Sequence, residues 1–131
     1  MKTILKQQNV KTKIVLLSAA LLLSPLAQAG KADVERVRVE CDSSSRCNFS
    51  VTVRHTDEGW DHYANEWQVV APDGSILGTR TLYHPHVDEQ PFTRSMRGVK
   101  IPSSIHAVTL RAKDLVHGYG GREQLVELPP H

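Results

Sequence analysis

The chain has 131 residues, 40% of them apolar, with 16 lysines and arginines against 14 acids for a formal net charge of +2. The basic residues are dispersed rather than blocked together, which excludes no fold but argues against nucleic acid or an anionic membrane surface as the partner. Its length admits a single domain.

Residues 1–29 read as an export leader. Lys2, Lys6, Lys11 and Lys13 form a positive start, Ile14 to Leu23 an apolar run, and Ala27-Gln28-Ala29 a small-residue cleavage site. The apolar run is about ten residues, too short to span a bilayer. No cysteine follows the cleavage site, which argues against a lipoprotein. Cleavage would leave 102 of the 131 residues, beginning at Gly30, as one domain over 30–131. The four lysines leave and no acid does, so 12 basic residues then face 14 acids, net −2. The expected location is periplasmic or secreted, with no membrane span after cleavage.

From Asp33 the pattern has period two. Val37, Val39 and Cys41 share one face, and Arg36, Arg38 and Glu40 the other. Asp42 to Ser45 is a turn. A second strand then alternates through Cys47, Phe49, Val51 and Val53, and continuing the count puts His55 on the inward face where the strand runs out. Cys41 and Cys47 lie in an oxidising compartment without C-x-x-C spacing, so a structural disulfide is expected.

The third strand turns Trp67, Val69 and Ala71 inward, with Trp67 as the core tryptophan. Pro72-Asp73-Gly74-Ser75 is a hairpin turn, and Ile76 to Tyr83 returns. A weaker fifth strand covers Phe92 to Ile101, a sixth Ile105 to Lys113, and a last one Arg122 to Leu128. Seven short strands without a helix predict an all-β chain, an immunoglobulin-like β-sandwich.

Alternating strand directions put the loops after strands two, four and six at one end. These are Thr56 to Ala64, His84 to Gln90 and Asp114 to Gly121. With His55 they carry five of the seven histidines, and the cysteine hairpin falls at the opposite end. The gathered candidates are His55, His62, His84, His86, Asp88, Glu89, Asp114 and His117. Asp61 is a further carboxylate behind them, and Trp60 and Tyr119 could wall the site from solvent. Neutral imidazole is the commonest nitrogen ligand for iron, copper and zinc, and a carboxylate completes many such sites. Arg54 and Arg94 could draw an anion to the rim.

Arg54 to Trp67, RHTDEGWDHYANEW, resembles the H-P-M…E-H-Y-I-x-W segment of the superoxide reductases, the iron domain of desulfoferrodoxin. His55 matches the first histidine, and His62-Tyr63 with Trp67 the second cluster. Arg111 to Gly118, RAKDLVHG, is similar to that family's R-A-Y-C-N-x-H-G. The resemblance covers roughly Val51 to Gly121 and implies a mononuclear, non-haem iron at the rim of an immunoglobulin-like sandwich. The family's axial cysteine falls on Asp114, its earliest histidine has no counterpart, and its lysine lid is absent. His84 or His86 is left to supply the missing imidazole.

The expected ligands are therefore His55, His62, His117 and Asp114, with His84 or His86. The expected ion is iron, with copper, zinc or manganese as alternatives. A thiolate shapes what iron does with bound oxygen species; aspartate is a harder ligand that serves several divalent ions. Three function classes follow: a metal-binding protein, an oxidoreductase that reduces or dismutates superoxide, and a non-catalytic interaction module.

Overall fold

The computed structural model describes residues 30–131; the expected leader, residues 1–29, lies outside the described residues. Seven strands follow in order: β1 Asp33–Cys41, β2 Arg46–Arg54, β3 Ala64–Val70, β4 Ile76–Thr81, β5 Phe92–Lys100, β6 Ala107–Asp114 and β7 Gln124–Glu127. They form two antiparallel sheets, β1-β2-β5 and β4-β3-β6-β7. Among the described residues no helix is long and apolar enough to cross a membrane.

The fold is the expected β-sandwich. Its partition differs from that of an immunoglobulin constant domain, which keeps the fourth strand beside the first, second and fifth. Here β4 pairs with β3 in the opposite sheet. The Pro72-Asp73-Gly74-Ser75 turn explains the short hop. The Gly74 amide donates to the Ala71 carbonyl, Gly74 takes φ +88°, and the Asp73 carboxylate accepts from the Ser75 amide and hydroxyl.

The core fills the gap between the inner faces. Cys47, Phe49, Val51 and Val53 of β2 meet Trp67 and Val69 of β3 and Val108, Leu110 and Ala112 of β6, all buried. Two of these inward series end on a polar residue at the same end of the sandwich. On β2 the next inward position after Val53 is His55, and on β6 the one after Ala112 is Asp114, which closes the strand one residue beyond the expected Lys113. A period of two cannot change face without a bulge, so the apolar faces themselves deliver these groups to the rim.

Cys41 and Cys47 are bonded and face each other in the β1–β2 ladder, at the other end. Closing so short a loop is worth about 2 kcal/mol. The Cys41→Ser/Cys47→Ser double variant is expected to lose about that much in urea unfolding, with the rim loops unaltered in their amide spectra.

The N-terminal segment crosses to the second sheet. The Val34 amide donates to the Arg122 carbonyl, the Arg122 amide to the Asp33 carboxylate at 2.6 Å, and Gln124 Nε2 to the Val34 carbonyl. Gly121 lies so close to the Ala32 carbonyl that a β-carbon there would stand 1.9 Å from its oxygen. This clamp brings Gly30 to the histidine-bearing rim.

Candidate metal centre

His55, His62 and Asp114 converge at that rim. Each offers one ligand atom, and the three atoms lie within 4.8 Å of one another. His55 Nε2 is 3.8 Å from Asp114 Oδ2, and His62 Nε2 is 3.2 Å from Asp114 Oδ1. The His55 and His62 rings meet edge to face at 4.8 Å. Two atoms each about 2.1 Å from a shared ion stand about 3.0 Å apart at a right angle and about 4.2 Å apart when opposite. The 3.2 Å pair already has nearly the right-angle spacing, while the wider separations, up to 4.8 Å, would have to shorten for one ion to meet all three groups.

The hydrogen bonds behind the cluster aim it. Asp114 Oδ1 accepts from the amides of Val116 and His117, both at 2.8 Å, in an aspartate turn that starts the β6–β7 loop. Its Oδ2 is buried and makes no hydrogen bond, and neither does His62 Nε2. Buried polar atoms are nearly always satisfied, so two such atoms on residues that approach to 3.2 Å point to an ion or water at this spot; Asn65 Oδ1, Trp67 Nε1 and His86 Nδ1 are also buried without a hydrogen bond. Behind the histidines stand carboxylates: His55 Nδ1 lies 2.5 Å from Asp57 Oδ1, and His62 Nδ1 3.5 Å from Glu58 Oε2. A carboxylate on Nδ1 turns Nε2 forward, the usual support of a metal-binding imidazole.

Asp57 is the organiser that sequence reasoning missed. Beyond His55, it accepts from the Ala64 amide at 3.0 Å and the His86 amide at 2.7 Å, so one buried carboxylate joins the β2–β3 loop, the start of β3 and the β4–β5 loop. Gln90 adds a second tie, accepting from the His55 amide and donating to the His86 carbonyl. The spacing His55-x-Asp57 was the one available signal for the first; Gln90 left none.

The remaining candidates are placed differently. His117 sits beside the cluster, its Nδ1 3.1 Å from Asp114 Oδ1 and its ring 5.1 Å from that of His62, but it is not one of the three atoms that close on a point. His84 and His86 pair with each other at 4.5 Å. His86 stacks on Phe92 at 4.0 Å, and its Nε2 accepts from Arg94 Nη2 at 2.8 Å. His84 is exposed, with Nδ1 on the Pro85 carbonyl. Asp61 and Asp88 are exposed, and Glu89 pairs with Arg94. Trp60 is 68% exposed, edge to face with Tyr63. Tyr119 is spent on the outer face of the β3–β6 pair, its hydroxyl donating to Glu66 and its ring under Arg111, because those outward residues offer it both a partner and a cation. Arg54 is held by Glu35, as Arg94 is by Glu89 and His86, so both arginines already have partners.

Charge is distributed unevenly over the rim. For Asp57 burial works against ionisation, but hydrogen bonds from His55, His86 and Ala64 outweigh it and hold the carboxyl below its usual range. Burial likewise opposes Asp114, and the His117 and Val116 amides, with the His117 ring and the His55 charge, pull it down. Burial also opposes a charge on His55; Asp57, the Gly30 carbonyl 3.0 Å from Nε2, and the Asp114 charge override it and raise the pKa. His86 goes the other way, lowered first by burial and then by Arg94 and His84.

The signs give a stability profile for chelator-treated protein. Asp57 and Asp114, depressed on folding, contribute stability above about pH 4 that is lost as pH falls further. His55, raised, contributes below about pH 6.5 and loses that as pH rises; His86, lowered, does the reverse. The two histidines therefore act in opposite senses around pH 6.5, and stability is expected to drop below about pH 4. In His86→Gln, which cannot titrate, stability should rise relative to the parent on acidification through about pH 6.5, read by urea unfolding at each pH.

A stretch of 97 residues, 74% of this chain, is 39% identical to a protein of Halomicrobium mukohataei described as "Putative lipoprotein"; the match takes in 47% of that protein, so the chain spans about half the length of this relative. No family model and no solved structure matches the chain.

Proposed function

We propose that this is an exported metal-binding protein with a mononuclear, iron-type centre held by His55, His62 and Asp114. The observation that carries it is the pair of buried atoms without hydrogen bonds, His62 Nε2 and Asp114 Oδ2, in a group whose ligand atoms lie within 4.8 Å of one another. Two imidazoles and one carboxylate form a donor set typical of non-haem Fe(II), and one that zinc also accepts. The resemblance of the two rim segments to the superoxide reductases favours iron. The disulfide and the description of the relative support a location outside the cytoplasm, for which we take the periplasm.

Bound there, the ion would supply Lewis acidity and, as iron, one-electron chemistry. The chain's own part is to aim the ligands and limit water. Asp57 fixes the His55 imidazole, Glu58 lies 3.5 Å from that of His62, the Val116 and His117 amides fix the carboxylate, and Trp67, Phe92 and Ala64 are buried in the core. Three protein ligands would leave coordination positions to a small molecule; superoxide reduction, which would need an external electron donor for turnover, is the alternative reading and rests on the resemblance alone. Asp114 stands where the resembling family has its thiolate. Titration with Fe(II) under anaerobic conditions, followed by superoxide consumption, tests both parts. One equivalent bound with consumption well above that of free iron is expected; no saturable binding would remove the reading, and binding without added consumption would leave a metal-binding protein that is no oxidoreductase.

A further inference from the structure

The group nearest the centre that is not a side chain belongs to Gly30. Its carbonyl oxygen accepts a hydrogen bond from His55 Nε2 at 3.0 Å; an ion taking that nitrogen in place of the proton would meet the carbonyl at about the spacing of two ligand atoms at right angles about 2.1 Å from one ion. Its α-carbon presses on the His117 ring: a β-carbon on Gly30 would lie 2.5 Å from His117 Cε1 and 3.0 Å from Nε2. The segment is fixed there by the clamp of Ala32 and Asp33 onto Gly121 and Arg122. Gly30 is also the residue that cleavage after Ala29 would make the first of the exported chain.

We propose that the α-amine of Gly30, released by that cleavage, joins the centre as a ligand for the divalent ion, so that processing completes the site. The inference rests on the metal-binding reading above. The α-amine and carbonyl of one residue close a five-membered chelate ring around an ion, so an ion that meets this carbonyl oxygen is within reach of this amine. Before cleavage the same nitrogen is a peptide amide, whose lone pair is delocalised into the carbonyl and does not bind a divalent ion at neutral pH. The Gly30 carbonyl stands beside His55, His62 and Asp114 before and after cleavage; the leader's removal adds the amine and with it the chelate ring. The unprocessed precursor is then a poor competitor for metal, and loading waits for export. A glycine at this position follows from the same geometry, because φ is +96° and the His117 ring leaves no room for a side chain.

The test compares the exported full chain, its N-terminus read by mass spectrometry, with the same chain carrying Ser-Glu inserted between Ala29 and Gly30, which creates no second small-residue cleavage site, so that the processed product keeps an amide at Gly30. Selective Nα-acetylation of the folded Gly30 form gives a second blocked version that does not depend on refolding. Each is titrated anaerobically with Fe(II), and with Co(II) for its visible d–d bands. The expected result is a processed N-terminus at Gly30, an affinity at least about tenfold lower in both blocked forms, as for loss of a group that supports a metal site, and altered Co(II) bands. Equal affinity and spectrum in all three would overturn the amine's role while leaving the metal site standing. An exported chain beginning elsewhere would overturn it too, and failure of every form to bind would remove the metal reading together with it.

Discussion

Asp114→Ala is expected to abolish stoichiometric metal binding and to destabilise the fold by roughly 3–5 kcal/mol, the range for removing one partner of a buried charged pair. The residue is 1% exposed. Its loss strands the amides of Val116 and His117, which it caps at 2.8 Å, and leaves the buried imidazole of His55 with one carboxylate instead of two. Asp114→Asn separates the two effects. The amide oxygen can still accept from the turn amides, so most of the stability should return in urea unfolding, while a neutral oxygen is a weaker ligand and metal affinity should stay low. Equal recovery of both properties would make Asp114 a structural residue and nothing more.

His62→Ala is expected to cost metal binding without the fold: a loss of metal affinity well beyond the 10–100-fold typical of groups that only support a ligand, with stability within about 1 kcal/mol of the parent. Its side chain is 15% exposed, and Nε2 has no hydrogen bond to lose. His84→Ala supplies the contrast. That ring is exposed and touches the Pro85 carbonyl and His86, so neither affinity nor stability should change. If His84→Ala cost as much metal as His62→Ala, the centre would have to be moved to the β4–β5 loop.

The strand pattern made much of this legible. Cys47-Phe49-Val51-Val53 and Val108-Leu110-Ala112 alternate without a break, and the same count, carried one step further, lands on His55 and Asp114. Gathering of the even-numbered loops at one end followed from antiparallel alternation, and the observed pairing has that geometry. What stayed hidden depends on contacts between segments far apart in the chain. Asp57 binds His55 two residues away, but its role in seating His86 across 29 residues has no local sign. Tyr119 read as a wall of the site because its loop points there; its ring turns outward because Glu66 and Arg111, on neighbouring strands, face away from the core. Gly30 read only as the residue after a cleavage site, and the bend that returns it to His55 is set by β7, some ninety residues later.

The most direct measurement is the anomalous scattering of iron in crystals of the processed protein loaded with Fe(II). The expected result is one strong peak about 2.1 Å from the Nε2 atoms of His55 and His62 and from an Asp114 oxygen. A peak between His84 and His86 instead, or no peak in crystals of a fully folded protein, would contradict it.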